Sequence, residues 1–190
     1  MKKIKVRVAI AQINPTVGDL EGNSQKIIEY VKQAEKSGAD IVCFPELALT
    51  GYPPEDLLLK PKFIQDNLKK IKELVSSVGN IIAVVGFVDE KKGNIFNSAA
   101  VIYQRKITGT YNKTLLPNYG VFDEKRYFAA GENVKVFQFG ELAFGVNICE
   151  DIWHEGPVEK QVLSGARLVL NINASPYHMG KIKERQEVVQ

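Results

Sequence analysis

Three side chains of different chemical type stand out for where they fall: Glu46, Lys113 and Cys149. Glu46 ends the apolar run IVCFPE, Lys113 follows the segment Ile107–Tyr111 in TYNKTLLPNYG, and Cys149 ends LAFGVNIC. Each run has the composition of a strand or strand edge, and strand ends open onto a common rim, so groups remote in sequence can converge there. The chemistry available to such a set is nucleophilic. A free thiol titrates near ~8.5 and is mostly protonated at neutral pH. A neighbouring ammonium favours the thiolate, and a carboxylate can take the proton. The same ammonium can meet negative charge developing on a carbonyl oxygen. Taken singly, a cysteine after an apolar strand reads as an inert buried thiol and a loop lysine as a solvated charge. Cys43, inside an apolar run, has that bland reading.

The elements that must carry these residues can be read from periodicity. Ile4, Val6, Val8 and Ile10 alternate as a strand, which also argues against reading the basic N-terminus as a signal peptide. Asp19 to Asn23 reads as a polar turn. Ile27, Ile28, Val31 and Ala34 then mark one helical face, closed by Gly38. Ile41 to Phe44 is a short strand, Thr50 to Pro61 a loop, and Phe63 to Val75 a second amphipathic helix. Ile81 to Val88 and Phe96 to Tyr103 are strands around a charged turn at Asp89 to Gly93. Tyr111 to Gly131 is a long loop of the kind that carries function. Val134 to Phe139 and Leu142 to Ile148 form a strand pair. A helix at Val158 to Leu163, a strand at Arg167 to Ile172 and a helix from Lys181 follow. Helices between strand pairs predict a layered α/β domain with much antiparallel pairing.

Composition narrows the function classes. The 190 residues are 45% hydrophobic and 25% charged, enough for one packed domain. The net charge of +3, without basic blocks interleaved with aromatics, argues against a nucleic-acid partner. No apolar run reaches the ~18 residues of a membrane span. Two cysteines give no disulfide framework, so a reducing cytoplasm is the default, and with two histidines they match no zinc spacing. No phosphate-binding loop pattern occurs. The chain stops one or two turns into its last helix, which predicts that it is the front part of something longer.

The segments around the three residues resemble the nitrilase, or carbon–nitrogen hydrolase, superfamily: FPELALTGY around Glu46, NKTLLPNYGVFDEKRYF around Lys113 and NICEDIW around Cys149. Within it, GYPPEDLLL, LPNYGVFDEKRYFAAG, CEDIWHEGP and NASPYHMGKIKERQE look like the glutamine-hydrolysing domains of the glutamine-dependent NAD⁺ synthetases. The resemblance implies an α-β-β-α sandwich, here incomplete at its C-terminus across residues 1–190, and hydrolysis of the glutamine side-chain amide with water. The ammonia would pass to a synthetase domain in cis that amidates deamido-NAD⁺ using ATP and Mg²⁺; the hydrolytic step itself would need no cofactor.

By the same resemblance Glu46 is the base, Cys149 the nucleophile, and Lys113 with the Glu150 backbone N–H the oxyanion donors. Glu124 matches a supporting carboxylate. Tyr119, Phe122, Glu150, Ser175 and Lys181 fall where relatives contact glutamine. Lys181 stands where some members have an Arg, so it would read a carboxylate as a point charge. The superfamily commonly pairs its sandwiches, which implies a homo-oligomer. Two other readings stay open: a stand-alone amidase or nitrilase for another small amide or nitrile, and a non-catalytic fragment. His154, next to the nucleophile segment, has poor spacing for a Cys–His dyad, and His178 reads as a pocket or solvated loop residue.

Overall fold

The computed structural model describes residues 4–132 and 134–189. In chain order the elements are β1 (Val8–Ile10), α1 (Leu20–Lys36), β2 (Ile41–Cys43), α2 (Pro61–Val75), β3 (Ile82–Lys91), β4 (Asn94–Tyr103), β5 (Lys106–Asn112), β6 (Val136–Phe139), β7 (Leu142–Ile148), α3 (Glu155–Leu163), β8 (Leu168–Ile172) and α4 (Lys181–Val189). Strands β1 to β5 form one sheet in sequence order, parallel across β1, β2 and β3 and antiparallel from there to β5. Strands β6, β7 and β8 form a second sheet, antiparallel then parallel.

Strand alternation explains the layering. In β3, Ala83, Val85 and Phe87 point to one face and join Ile27, Val31 and Ala34 of α1 and Ile71 and Leu74 of α2 in a core. Ile82 and Val84 point the other way and meet Phe144, Val146 and Ile148 of β7 in the seam between the sheets. From Ile82 to Val88 strand β3 is thus buried on both faces, which is why that stretch reads as a run without polar side chains. On the outer face of the second sheet, Gln161 of α3 donates to the Val146 carbonyl at 2.9 Å and lies against Gly145. The order is helix, sheet, sheet, helix, as the resemblance implies.

Several local expectations are corrected: the first strand is Val8–Ile10 and does not start at Ile4, and the stretch Thr50 to Pro61 carries a short 3₁₀ helix, Glu55–Leu59. Asp19 to Asn23 is not a free turn: α1 begins at Leu20, with the Asp19 carboxylate accepting from the Gly22 N–H at 2.8 Å. Gly22, Asn23 and Ser24 are weak helix formers, but buried Asn23 is held by Thr16 O at 2.7 Å and Leu49 O at 3.1 Å, so tertiary bonds override propensity. The charged turn also shrinks. Strand β3 runs on to Lys91, and Lys92 and Gly93 alone turn the chain, at φ 53° and 80°.

Candidate active site

Each candidate residue leaves a strand through a tightly defined segment. Glu46 follows β2, and β3 passes directly beneath its turn at Gly86, where a Cβ would collide with Pro45 O and Leu47 N. Lys113 lies one residue past β5. Its N–H donates to Asn97 O at 2.8 Å, and its carbonyl accepts from Gly131 N at 2.7 Å. The long loop is thereby pinned where it leaves and where it returns, with Gly131 so close to Asn112 that no side chain fits. Cys149 opens a short 3₁₀ turn, Cys149–Ile152, directly after β7 and has φ 45°, a left-handed conformation uncommon for a residue with a Cβ.

The convergence expected from strand ends is present. The Lys113 ammonium lies 2.7 Å from Glu46 Oε1 and 2.9 Å from Glu124 Oε1. All are buried: Lys113 is 0% exposed, Glu46 1%, Glu124 4% and Cys149 3%. Two of the three ammonium donors are thus used, and the third has no acceptor among the described residues. The Cys149 thiol feels Glu46, Lys113, Glu124 and Glu150 electrostatically.

The charge balance of this cluster differs from the simplest expectation. Burial, then the Glu46 carboxylate, push the Cys149 thiol well above its usual range, and the lowering influence of Lys113 does not offset them. Burial and the neighbouring carboxylates thus favour the protonated thiol. Burial also opposes the Lys113 ammonium, but Glu46 and Glu124 hold it above the usual lysine value, firmly charged. Burial and Glu46 raise the Glu124 carboxyl to about 7, against the pull of Lys113. Burial and the neighbouring carboxylate thus favour a proton on Glu124.

A cavity of about 320 Å³, at the small end for ligand sites, abuts Cys149; its wall includes Tyr119, Phe122, Glu150, Ser175 and Lys181. All five residues expected to contact substrate therefore share a cavity with Cys149. Tyr119 donates to Glu150 Oε2 at 2.8 Å and packs edge-on against Phe122 at 5.7 Å. Lys181 Nζ sits 4.2 Å from the centroid of the Trp153 ring and 2.9 Å from Glu184. Ser175 Oγ accepts from the Arg185 guanidinium at 2.7 Å. His178 also borders the cavity. His154 is exposed and 3.3 Å from Glu150, with no bond to Cys149. Cys43 is half-buried, less enclosed than a buried structural thiol would be, and burial pushes its thiol up to about 12. Among the described residues no group of His, Cys, Asp and Glu is arranged to hold a metal ion, and no helix is long and apolar enough to cross a membrane.

Several supporting groups were not singled out from sequence. Asn97 donates to Glu46 Oε1 at 2.8 Å, and the Ala174 N–H donates to Glu46 Oε2 at 3.0 Å. Tyr52 donates to Glu124 Oε1 at 3.2 Å. Asp151, two residues past Cys149, is 0% exposed and accepts hydrogen bonds from Tyr111 of the first sheet and Ile148 of the second. The available signal for Asn97 and Asp151 was a polar residue inside or beside an apolar strand, which burial makes costly unless it is bonded.

Residues 7–190 match the carbon–nitrogen hydrolase family model, and the chain belongs to that family. Among curated relatives it is similar to the glutamine-dependent NAD(+) synthetase of Thermotoga maritima, 46% identical over 183 residues, which are 93% of this chain and 31% of that protein. The glutamine-dependent NAD(+) synthetase of Acinetobacter baylyi is 42% identical over 190 residues, 100% of this chain and 35% of that protein. The structure of glutamine-dependent NAD⁺ synthetase from Acinetobacter baumannii in complex with ADP superposes with a TM-score of 0.92 at 44% identity, over 96% of this chain and 35% of that one. An amidase from Nesterenkonia sp. shares the fold, with a TM-score of 0.81 at 22% identity over 93% of this chain and 68% of that one. The chain spans about a third of the length of the curated relatives it matches.

Proposed function

We propose that this chain is the glutamine-hydrolysing part of a glutamine-dependent NAD⁺ synthetase. The observation that carries the reading is the buried Lys113 ammonium bridging Glu46 and Glu124 near Cys149, at the edge of a cavity sized for one small amide. Glu46 takes the thiol proton as sulfur attacks the glutamine amide carbon. The third Lys113 N–H and the Glu150 backbone N–H meet the negative charge on oxygen. Protonated Glu46 gives its proton to departing ammonia, leaving a thioester. Water, activated by Glu46, then releases glutamate. The raised thiol favours this order, with proton removal coupled to attack.

Glu124 holds the other side of the ammonium. Tyr119, Phe122, Glu150, Ser175 and Lys181 enclose the amino-acid end of glutamine, with Lys181 toward its carboxylate. In this reading ammonia passes to a synthetase part in cis, outside these residues, where deamido-NAD⁺, ATP and Mg²⁺ are used; the hydrolytic step needs no cofactor. The proposal includes a reducing, cytoplasmic setting, which suits a free nucleophilic thiol, and a homo-oligomer of paired sandwiches.

The test is Cys149→Ala in the whole protein that carries this chain. Ammonia release from glutamine should fall to background while NAD⁺ synthesis from added ammonium persists. Wild-type-like release by that variant would remove the nucleophile. A panel of small amides and nitriles separates this reading from that of a stand-alone amidase, since glutamine should be the best substrate.

A further inference from the structure

Cys149 and Lys113 belong to different sheets. Lys113 leaves β5 of the first, Cys149 leaves β7 of the second, and the seam between the sheets is apolar. Apolar packing fixes the sheets' separation but sets the position of a single thiol only loosely, because hydrophobic contact has no direction. Besides the bond from the Ala174 N–H to Glu46, a directional tie across this gap is present at a second carboxylate. Asp151 Oδ1 accepts from Thr114 N at 3.1 Å, Thr114 Oγ1 at 2.7 Å and Leu115 N at 2.9 Å. Its Oδ2 accepts from Tyr111 Oη at 2.8 Å and from Ile148 N at 3.0 Å. These donors bracket Lys113 on both sides and include the residue just before Cys149.

We infer that Asp151 is the positioning residue that sets the thiol against the ammonium, by clamping the Lys113 loop to the Cys149 turn. The inference rests on the proposed roles of those two residues. A carboxylate is required for it. Both oxygens face backbone N–H groups, which cannot become acceptors, so an amide in either orientation sets an NH₂ against a donor. Asp151→Asn therefore keeps size and shape and opens one side of the clamp. Misplacement of a reacting group by about 1 Å costs ~100-fold. The expected result in the whole protein is a fall in kcat of about that size with little change in the glutamine KM.

Thermal stability and folded fraction are measured alongside, and so is the rate of Cys149 alkylation by iodoacetamide as a function of pH. The thiol's titration depends on where Lys113 lies, so a folded Asp151→Asn protein should show a shifted alkylation profile. Loss of stability alone would not produce that shift. Wild-type kcat in folded Asp151→Asn, or a lowered kcat with an unmoved alkylation profile, overturns the inference. Should Asp151→Asn fail to fold, Tyr111→Phe and Thr114→Ala decide: each removes one donor, and each should lower kcat and move the profile in the same sense, with no effect in either overturning it. Cys149→Ala runs as the control. If it still releases ammonia, the reading of the site itself has failed and the inference falls with it; if it is inactive while Asp151→Asn behaves as wild type, only the inference has failed.

Discussion

Cys149 has two kinds of neighbour, and they are held by opposite means. Glu46, Lys113 and Glu124 are buried, bonded to one another and braced by Asn97, Tyr52 and the Ala174 N–H. Tyr119, Ser175 and Lys181 stand on exposed segments: Tyr119 is 59% exposed, and α4, which begins at Lys181, has no buried residue. The contrast matches what the proposed function asks of each side. Charges that meet a developing oxyanion gain strength in a water-excluded setting and must already be in place. A wall that admits and releases a polar amino acid has to stay near solvent and be able to yield. Substitutions on the buried side should therefore lower kcat and stability together, and those on the exposed side should change KM alone.

The largest effect is expected at Lys113. Lys113→Met removes an oxyanion donor, a loss of ~10²–10³ in kcat. It also strands two carboxyls in the interior, and breaking a buried pair typically costs ~3–5 kcal/mol. Ammonia release and calorimetry on the same sample check both. A protein that melts like wild type and still turns over glutamine would erase the distinction between the two sides.

Glu124 sharpens the comparison through pH. Its carboxyl lies at about 7 when folded against an ordinary 4.5, because burial and then Glu46 disfavour its charge. Below 4.5 it is protonated folded or unfolded. Between 4.5 and about 7 the folded state holds the extra proton, so this group's stabilising contribution is present at low pH and is lost as pH rises through that window. Glu124→Gln abolishes the titration whatever it does to the absolute melting temperature. The wild-type Tm should therefore decline relative to that of Glu124→Gln as pH is raised from 4.5 to 7, and the two curves should run parallel above. Curves parallel throughout would mean that the buried cluster does not take up its proton at Glu124.

Much of this architecture is legible in the chain because apolar alternation and glycine placement are local properties. β7 and the helix starting at Lys181 need no tertiary information. The start of α1 does: Gly22, Asn23 and Ser24 read as a turn until Thr16 and Leu49 supply the bonds that keep Asn23 in a helix. The site divides in the same way. Glu46, Lys113, Cys149 and the cavity residues sit inside recognisable motifs. Asn97 does not, and Ala174, though inside NASPYHMGKIKERQE, acts through its backbone; their partner Glu46 lies 51 and 128 residues away. Asp151 was visible as a residue; its five donors, from four other residues, were not.

The smallest effect belongs to the exposed side and tests it most directly. The Lys181 ammonium lies over the Trp153 ring at 4.2 Å and 2.9 Å from Glu184, with its side chain 20% exposed. An ammonium so placed draws a substrate carboxylate as a point charge and shares that attraction with Glu184 and with water. Its contribution is then that of a solvent-accessible pair, up to ~1 kcal/mol. Lys181→Met should raise the glutamine KM several-fold, leave kcat and the melting temperature near wild type, and flatten the dependence of KM on salt, because the screened interaction is gone. A drop in kcat matching the Lys113 variant would place Lys181 among the reacting charges and remove the division between a fixed, buried reaction set and a yielding wall. A KM that keeps its full salt dependence would pass the carboxylate to another cation, and Arg185, 2.7 Å from Ser175, stands next in line.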